Sequence, residues 1–177
     1  MSKIKTCILV TVTFCLMLVN TAFGYQWNWD DYAETSQGSV LLAPTVNSAE
    51  DTVYKHGRGD YLAQGSVEIV DLENGQLELQ ATTLAHVNVD RIIHTVFLDM
   101  WDEDDEDWVC MDYWDFEITK EEVEDGQLHM FTSILTLSGY EVGRYYRVRG
   151  LHGVEIYDEL EACATETNGV LLTDLWN

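Results

Sequence analysis

The sequence predicts an all-β protein, an immunoglobulin-like β-sandwich of about seven strands, and three observations lead there. From Gln64 onward the chain reads as strands broken by turns, the first two runs alternating apolar and polar residues with the period of two that a half-buried strand requires. Turn residues recur between these runs: Glu73-Asn74-Gly75, Asp125-Gly126, Gly139 and Gly143. Strands of this number and spacing are those of a sandwich. Helical periodicity is weak and confined to residues 119–124, which read as a short turn.

Taken in order, Val67 and Ile69, then Leu77, Leu79, Ala81 and Thr83, share one face, with Glu68, Glu78, Gln80 and Thr82 on the other. The intervening Glu73-Asn74-Gly75 makes the two runs a hairpin. Residues 91–101 form a longer, more apolar strand, and residues 108–117 are its partner across an acidic loop. Residues 128–137, 144–154, 159–165 and 170–172 complete the set. Residues 25–63 hold the only proline, Pro44, and little periodicity, so they read as an irregular arm with an edge strand at Val40 to Leu42. The expected organisation is a signal peptide over 1–24, the arm over 25–63 and the β-sandwich domain over 64–177.

The signal reading rests on Lys3 and Lys5, followed by an uncharged apolar run over residues 6–19 and the small residues Ala22 and Gly24. That is the basic, apolar and small-residue order read by signal peptidase, and it places cleavage between Gly24 and Tyr25. The run is shorter than the ~20 residues of a spanning helix, so the mature chain is expected without stable membrane insertion. Cys15 follows Thr13 and Phe14 rather than a lipobox.

Losing Lys3 and Lys5 lowers Lys+Arg from 9 to 7 against 32 acids and moves the formal charge from -23 to -25. Such a surface repels nucleic acid, whose phosphates need Lys and Arg to displace counterions. It favours cations and basic surfaces as partners. A hydrophobic content of 46%, with 11% aromatic residues, supplies a core and argues against disorder. Of the cysteines, Cys110 and Cys163 remain after cleavage, and an even pair in an oxidising compartment predicts a disulfide. In a standard sandwich, however, their strands are separated by two others, which strains that prediction.

A family resemblance is carried by Arg58-Gly59-Asp60-Tyr61-Leu62, by Gly65 with Ile69, and by Thr83-Leu84-Ala85 with Val89-Asp90. Its most specific part is Gly143-Arg144-Tyr145-Tyr146-Arg147-Val148-Arg149-Gly150-Leu151-His152, joined by Glu161 and Thr167-Asn168-Gly169-Val170. Over residues 58–172 the chain resembles an uncharacterised family of small secreted proteins of Gram-positive bacteria, a domain of unknown function. The resemblance implies a β-sandwich and export, and no activity, ligand or catalytic residue. Arg58-Gly59-Asp60 also spells an integrin-recognition tripeptide, but the resemblance accounts for it as a turn into the first strand.

Candidate sites follow from residue types. Arg147 and Arg149 share a strand face with Tyr145, and in so acidic a chain they are expected to meet carboxylates within the fold. Tyr145 or Tyr146 is placed for a tyrosine corner. Trp101, Trp108 and Trp114 are candidate stacking rings for a sugar, with core capping as the competing role for Trp101 and Trp114. Asp102, Asp104, Asp105 and Asp107 lie in an unbroken run of six acids, expected to bind calcium weakly at best. No other cofactor is implied.

Asp115 and Glu117 alternate onto one face near the spacing of glycosidase carboxylates, but a solvated polar face explains them as well. His56, His86, His94, His129 and His152 lack metal-ligand spacing, and His94, within an apolar strand, is expected to be a satisfied core residue. The sequence thus predicts a secreted, non-catalytic sandwich acting on an extracellular or cell-envelope partner, with a calcium-assisted carbohydrate-binding module second and a glycosidase third.

Overall fold

A computed structural model describes residues 38–57 and 60–175. The segment expected to be a signal peptide, with its expected cleavage site, and Trp27, Trp29, Arg58, Gly59 and Trp176 lie outside the described residues. Nine strands are present among the described residues, rather than about seven: β1 (Ser48–Tyr54), β2 (Leu62–Asp71), β3 (Gln76–Ala85), β4 (Arg91–Asp102), β5 (Asp107–Thr119), β6 (Met130–Ser138), β7 (Tyr145–Ile156), β8 (Glu159–Glu166) and β9 (Val170–Leu171). They form two antiparallel sheets, one in the order β1-β2-β3-β6 and the other β5-β4-β7-β8, with β9 added to β7.

The alternation read from the sequence sets the faces. Val67 and Ile69 on β2, and Leu77, Leu79 and Ala81 on β3, are buried, as are Val96 and Leu98 on β4 and Tyr146 and Val148 on β7. A second apolar cluster gathers Leu62, Val89, Ile92, Leu128, Val154 and Cys163. Along β4 and β7 the two clusters are separated by one buried polar layer that contains His94 and His152, both 0% exposed. Gly65 lets that layer close, because a Cβ there would meet the Cys163 Sγ and the His152 ring at 2.7 Å. Lys120–Glu122 is a 3₁₀ turn. Glu122 closes it by accepting from the Thr119 N–H at 2.8 Å and its hydroxyl at 3.0 Å.

Two expectations are corrected here. The segment 25–63 supplies a full edge strand at Ser48–Tyr54, paired with β2 from Ser48↔Val70 to Tyr54↔Gln64, and β2 itself begins at Leu62. The arm is therefore not irregular throughout. Val40 to Leu42 forms no strand; Leu41 makes one isolated parallel bridge to Gly169. The Cys110–Cys163 disulfide is also overturned, since no bond joins the two thiols. β5 and β8 are three steps apart in their sheet, about 14 Å at ~4.8 Å per step, twice the ~7 Å limit between bridged Cα atoms. Cys163 is buried on β8 while Cys110 is exposed on β5.

β5 is a sheet edge of 13 residues. Its register against β4 shifts between Leu98↔Asp112 and Asp99↔Cys110, leaving Met111 as the extra residue of a bulge. Val109, Met111 and Tyr113 beside that bulge are exposed.

Candidate functional site

The β4–β5 hairpin brings the acidic run to one end of the sandwich. Asp102 and Asp107 face each other as the last rung of the ladder, and the four residues between them turn. The turn is held by its own carboxylates: Asp102 Oδ1 accepts from the Asp104 N–H at 2.9 Å and the Asp105 N–H at 3.4 Å, and Asp107 Oδ1 accepts from the Trp108 N–H at 2.7 Å. Six adjacent acids cannot aim at one point on a hairpin this tight. Accordingly, the described residues contain no group of three or more His, Cys, Asp or Glu side chains placed to hold a metal ion, and Asp102, Asp104, Asp105 and Asp107 are not brought together as ligands.

A cleft of about 210 Å³ opens between this hairpin and the start of β7, lined by Met100, Trp101, Asp102, Glu103, Asp104 and Arg144. Arg144 is its cation, 3.2 Å from Glu141 and 3.7 Å from Glu103. The hydrogen bond to Glu141 holds the Arg144 guanidinium above its ordinary pKa, with the charge of Glu141 adding to it.

Behind the cleft the rings are already engaged. Trp101 and Trp108 meet edge to face at 5.3 Å. Trp108 lies 4.6 Å beneath the Arg147 guanidinium and so close over Gly169 that a Cβ there would stand 2.7 Å from the ring. Trp114 faces the other way, half-buried against the apolar cluster of β2, β3, β4 and β7. The three rings therefore do not form one platform. Trp114 has the core role the sequence allowed, and Trp101 pairs with Trp108 instead of capping the core.

Arg147 and Arg149 do meet carboxylates within the fold. Asp99, 1% exposed, accepts from Arg147 Nε at 2.8 Å and from Arg149 Nε and Nη2 at 2.6 and 2.9 Å. Glu166 lies 3.0 Å from Arg147 on the other side, and Ser39 bridges the two, donating to Glu166 at 2.8 Å and accepting from Arg147 at 3.0 Å. Burial pulls the Arg149 guanidinium down, but its hydrogen bonds to Asp99, together with the charges of Asp99 and Glu166, outweigh that and keep its pKa above the ordinary value. The same surroundings act on the Cys110 thiol, which partial burial, and then the Asp99 charge, push up. Asp99 is the residue the sequence reading missed; its signal was a single acid inside an apolar strand.

The remaining candidates are placed singly. Asp115 and Glu117 are exposed on β5, where Asp115 accepts from the Thr95 hydroxyl at 2.6 Å and Glu117 lies 3.3 Å from Arg91. Asp60 accepts from the Gly57 N–H at 2.7 Å. Tyr146, fully buried at the start of β7, donates its hydroxyl to the Glu141 carbonyl at 3.1 Å, the tyrosine-corner bond.

His94 is a satisfied core residue, with Nε2 2.8 Å from the Thr83 hydroxyl and Nδ1 2.9 Å from that of Ser133. Its partnership with His152 through Thr83 was not foreseen, because the hydroxyls come from strands distant in sequence. No helix of the described residues is long and apolar enough to cross a membrane.

No curated protein and no solved structure matches the chain at a significant level. Residues 30–170, most of the sequence and all of the two-sheet fold except Leu171, do match one family, and the chain accordingly belongs to a family of unknown function (DUF6147).

Proposed function

We propose that the chain is exported, cleaved between Gly24 and Tyr25, and acts outside the cell as a non-catalytic immunoglobulin-like domain whose acidic end engages a cationic partner. The observation that carries this reading is the β4–β5 hairpin. Five consecutive acids, Glu103 to Asp107, are exposed at its tip, while Trp108 behind it is already occupied by Arg147 and Gly169. A surface of this kind attracts basic groups over a Debye length and loses that attraction in salt.

The immunoglobulin-like assignment draws support from the strand order. β3 beside β6 and β4 beside β7 are non-sequential pairings, one in each sheet, so that the chain passes from sheet to sheet between β3 and β4, β5 and β6, and β6 and β7, as in a Greek-key sandwich. Tyr146 supplies the corner bond of such folds. Export draws support from the residues at the start of the chain, and a Gram-positive cell envelope is the setting that the family resemblance implies.

Titration of the mature chain, residues 25–177, with a lysine-rich peptide tests the reading. Binding that weakens with salt, and weakens further when Asp102, Asp104 and Asp107 become Asn, is the expected result. Binding indifferent to both changes overturns it.

A second reading, a calcium-assisted carbohydrate-binding module, is favoured by the cleft that sets Trp101 beside Asp102, Asp104 and Arg144. Calcium-dependent retention on a glycan array selects it over the first. Turnover of a chromogenic glycoside, lost on Asp115→Asn or Glu117→Gln, selects the glycosidase reading instead.

A further inference from the structure

The polar layer between the two apolar clusters is a continuous chain of side-chain hydrogen bonds. Ser133 on β6 lies 2.9 Å from His94 Nδ1, and His94 Nε2 lies 2.8 Å from the Thr83 hydroxyl on β3. The same hydroxyl lies 3.0 Å from His152 Nδ1, His152 Nε2 lies 2.8 Å from the Thr165 hydroxyl on β8, and Thr165 donates to the Gly150 carbonyl at 3.4 Å. Ser133, Thr83, His94, His152 and Thr165 are all buried.

One direction satisfies both ends of the chain. A carbonyl only accepts, so in that direction Thr165 gives its proton to Gly150 and accepts from His152 Nε2–H. His152 Nδ1 then accepts from Thr83, Thr83 accepts from His94 Nε2–H, and His94 Nδ1 accepts from Ser133. The reverse order would leave the Ser133 proton without a described partner. In this arrangement each imidazole gives one proton and takes one, which is the neutral form.

A second proton on either ring breaks the chain. On His152 Nδ1 it would turn toward an oxygen that already receives His94 Nε2–H and whose own proton points back at that ring. On His94 Nδ1 it would face the Ser133 hydroxyl proton, which has no other described acceptor. No charge is at hand to compensate. The titratable groups that face the layer are the two imidazoles and the Cys163 thiol, whose Sγ and the His152 ring both crowd Gly65. From β5 and β6 the neighbours are Phe116, opposite His94 in register, and Phe131, stacked on it at 4.8 Å. Glu161, two residues before Cys163 on β8, commits its carboxylate to the Tyr61 and Leu62 N–H groups at 2.6 and 2.9 Å.

We propose that this layer is an acid-labile latch, a hydrogen-bond chain that clamps the two sheets together only while both imidazoles are neutral and that releases them on acidification. Burial agrees in sign: it lowers the His94 pKa from 6.5 to about 3, and burial together with the neighbouring His94 lowers that of His152 well below 6.5. Groups depressed in the folded state contribute stability that is complete above pH 6.5 and is lost as the pH falls toward about 3. Each imidazole raises the unfolding constant tenfold per pH unit in that window, so the pair amounts to about a thousandfold at pH 5. An acidified surrounding would therefore open the sandwich by separating β3 and β6 from β4, β7 and β8.

The test uses the mature chain and two readouts. Urea unfolding followed by tryptophan fluorescence from pH 7.5 to 4.5 should give a pH slope that falls by about tenfold per unit in His152→Gln, which keeps every carboxylate. Nitrogen-15 NMR of the imidazole rings in the wild-type chain should find His94 and His152 neutral and protonated at Nε2 throughout the folded range, and needs no variant to fold. An unchanged slope in a folded His152→Gln protein, or either ring titrating near free imidazole while the fold persists, overturns the latch.

Discussion

β4 and β7 carry two polar clusters on opposite faces, and the two satisfy burial in opposite ways. Outward, Asp99 is sealed from water between Arg147 and Arg149, so full charges are compensated by full charges. Inward, His94 and His152 share Thr83, and every group is neutral. The difference lies in what stands nearby. The outward cluster sits at the rim, where Glu166 and Ser39 complete the shell of Arg147. Apolar clusters enclose the inward layer on both sides, and an ion there would have no countercharge to offset its desolvation.

The sharpest way to break this comparison is to remove one charge from the outward cluster. Asp99→Ala leaves two guanidiniums side by side, each less than a sixth exposed, and should lower stability in urea by about 3–5 kcal/mol. Asp99→Asn, which keeps the shape, should recover only part of that.

Thr83→Val makes the corresponding cut on the inward side, keeping volume and stranding one nitrogen on each ring. At ~1–3 kcal/mol for each orphaned group, a loss of about 3 kcal/mol in the same assay is expected, with the pH dependence altered. Asp99→Ala should leave that pH dependence in place.

Tyr146→Phe is a smaller cut, within the inner apolar cluster. It removes one hydroxyl bond to the Glu141 carbonyl and should cost about 1 kcal/mol, visible as a shift of the urea midpoint with unchanged slope. The acidic hairpin is the limiting case. Changing Asp102, Asp104 and Asp107 to Asn should alter stability by no more than about 0.5 kcal/mol, since the hydrogen bonds of the Asp102 and Asp107 carboxylates stay within their own turn and Asn can make them too. Calorimetric titration of both proteins with calcium and with magnesium measures any cation preference.

The two faces also differ in how far the sequence discloses them. Period-two alternation placed β2 and β3, and apolar runs between turn residues placed β4 to β8, close to where they lie, because a strand with one buried face must alternate and one buried on both faces reads as a continuous apolar run. β1 escaped notice for the same reason. Most of Ser48–Tyr54 is half-buried, with neither face clearly apolar, so its ladder to β2 rather than an apolar stripe holds it in place. The arginines were expected to find carboxylates, and they do, but naming Asp99 required the β4–β7 register that sets it opposite Arg147. His94 was legible as a core residue. The chain through Ser133, Thr83, His152 and Thr165 was not, because it joins strands from both sheets and no local pattern encodes which strands will be neighbours. The disulfide expectation rested on compartment chemistry alone, and the strand order set it aside.

The open rim of β5 bears on how copies of the protein behave together. A 13-residue strand with one side unpaired among the described residues, carrying exposed Val109, Met111 and Tyr113, offers a seam onto which a second chain could zip. Two features of the strand resist this. The Met111 bulge puts the rungs on either side of it out of step, and Asp107, Asp112, Asp115 and Glu117 stud the same strand with negative charge. Crowded solutions are thus kept apart largely by electrostatic repulsion, whose reach shrinks from about 8 Å at physiological ionic strength to about 3 Å at 1 M. Colloidal behaviour should follow the salt: copies that repel in dilute buffer approach one another as it rises, and light scattering across a salt series will register where the seam begins to close.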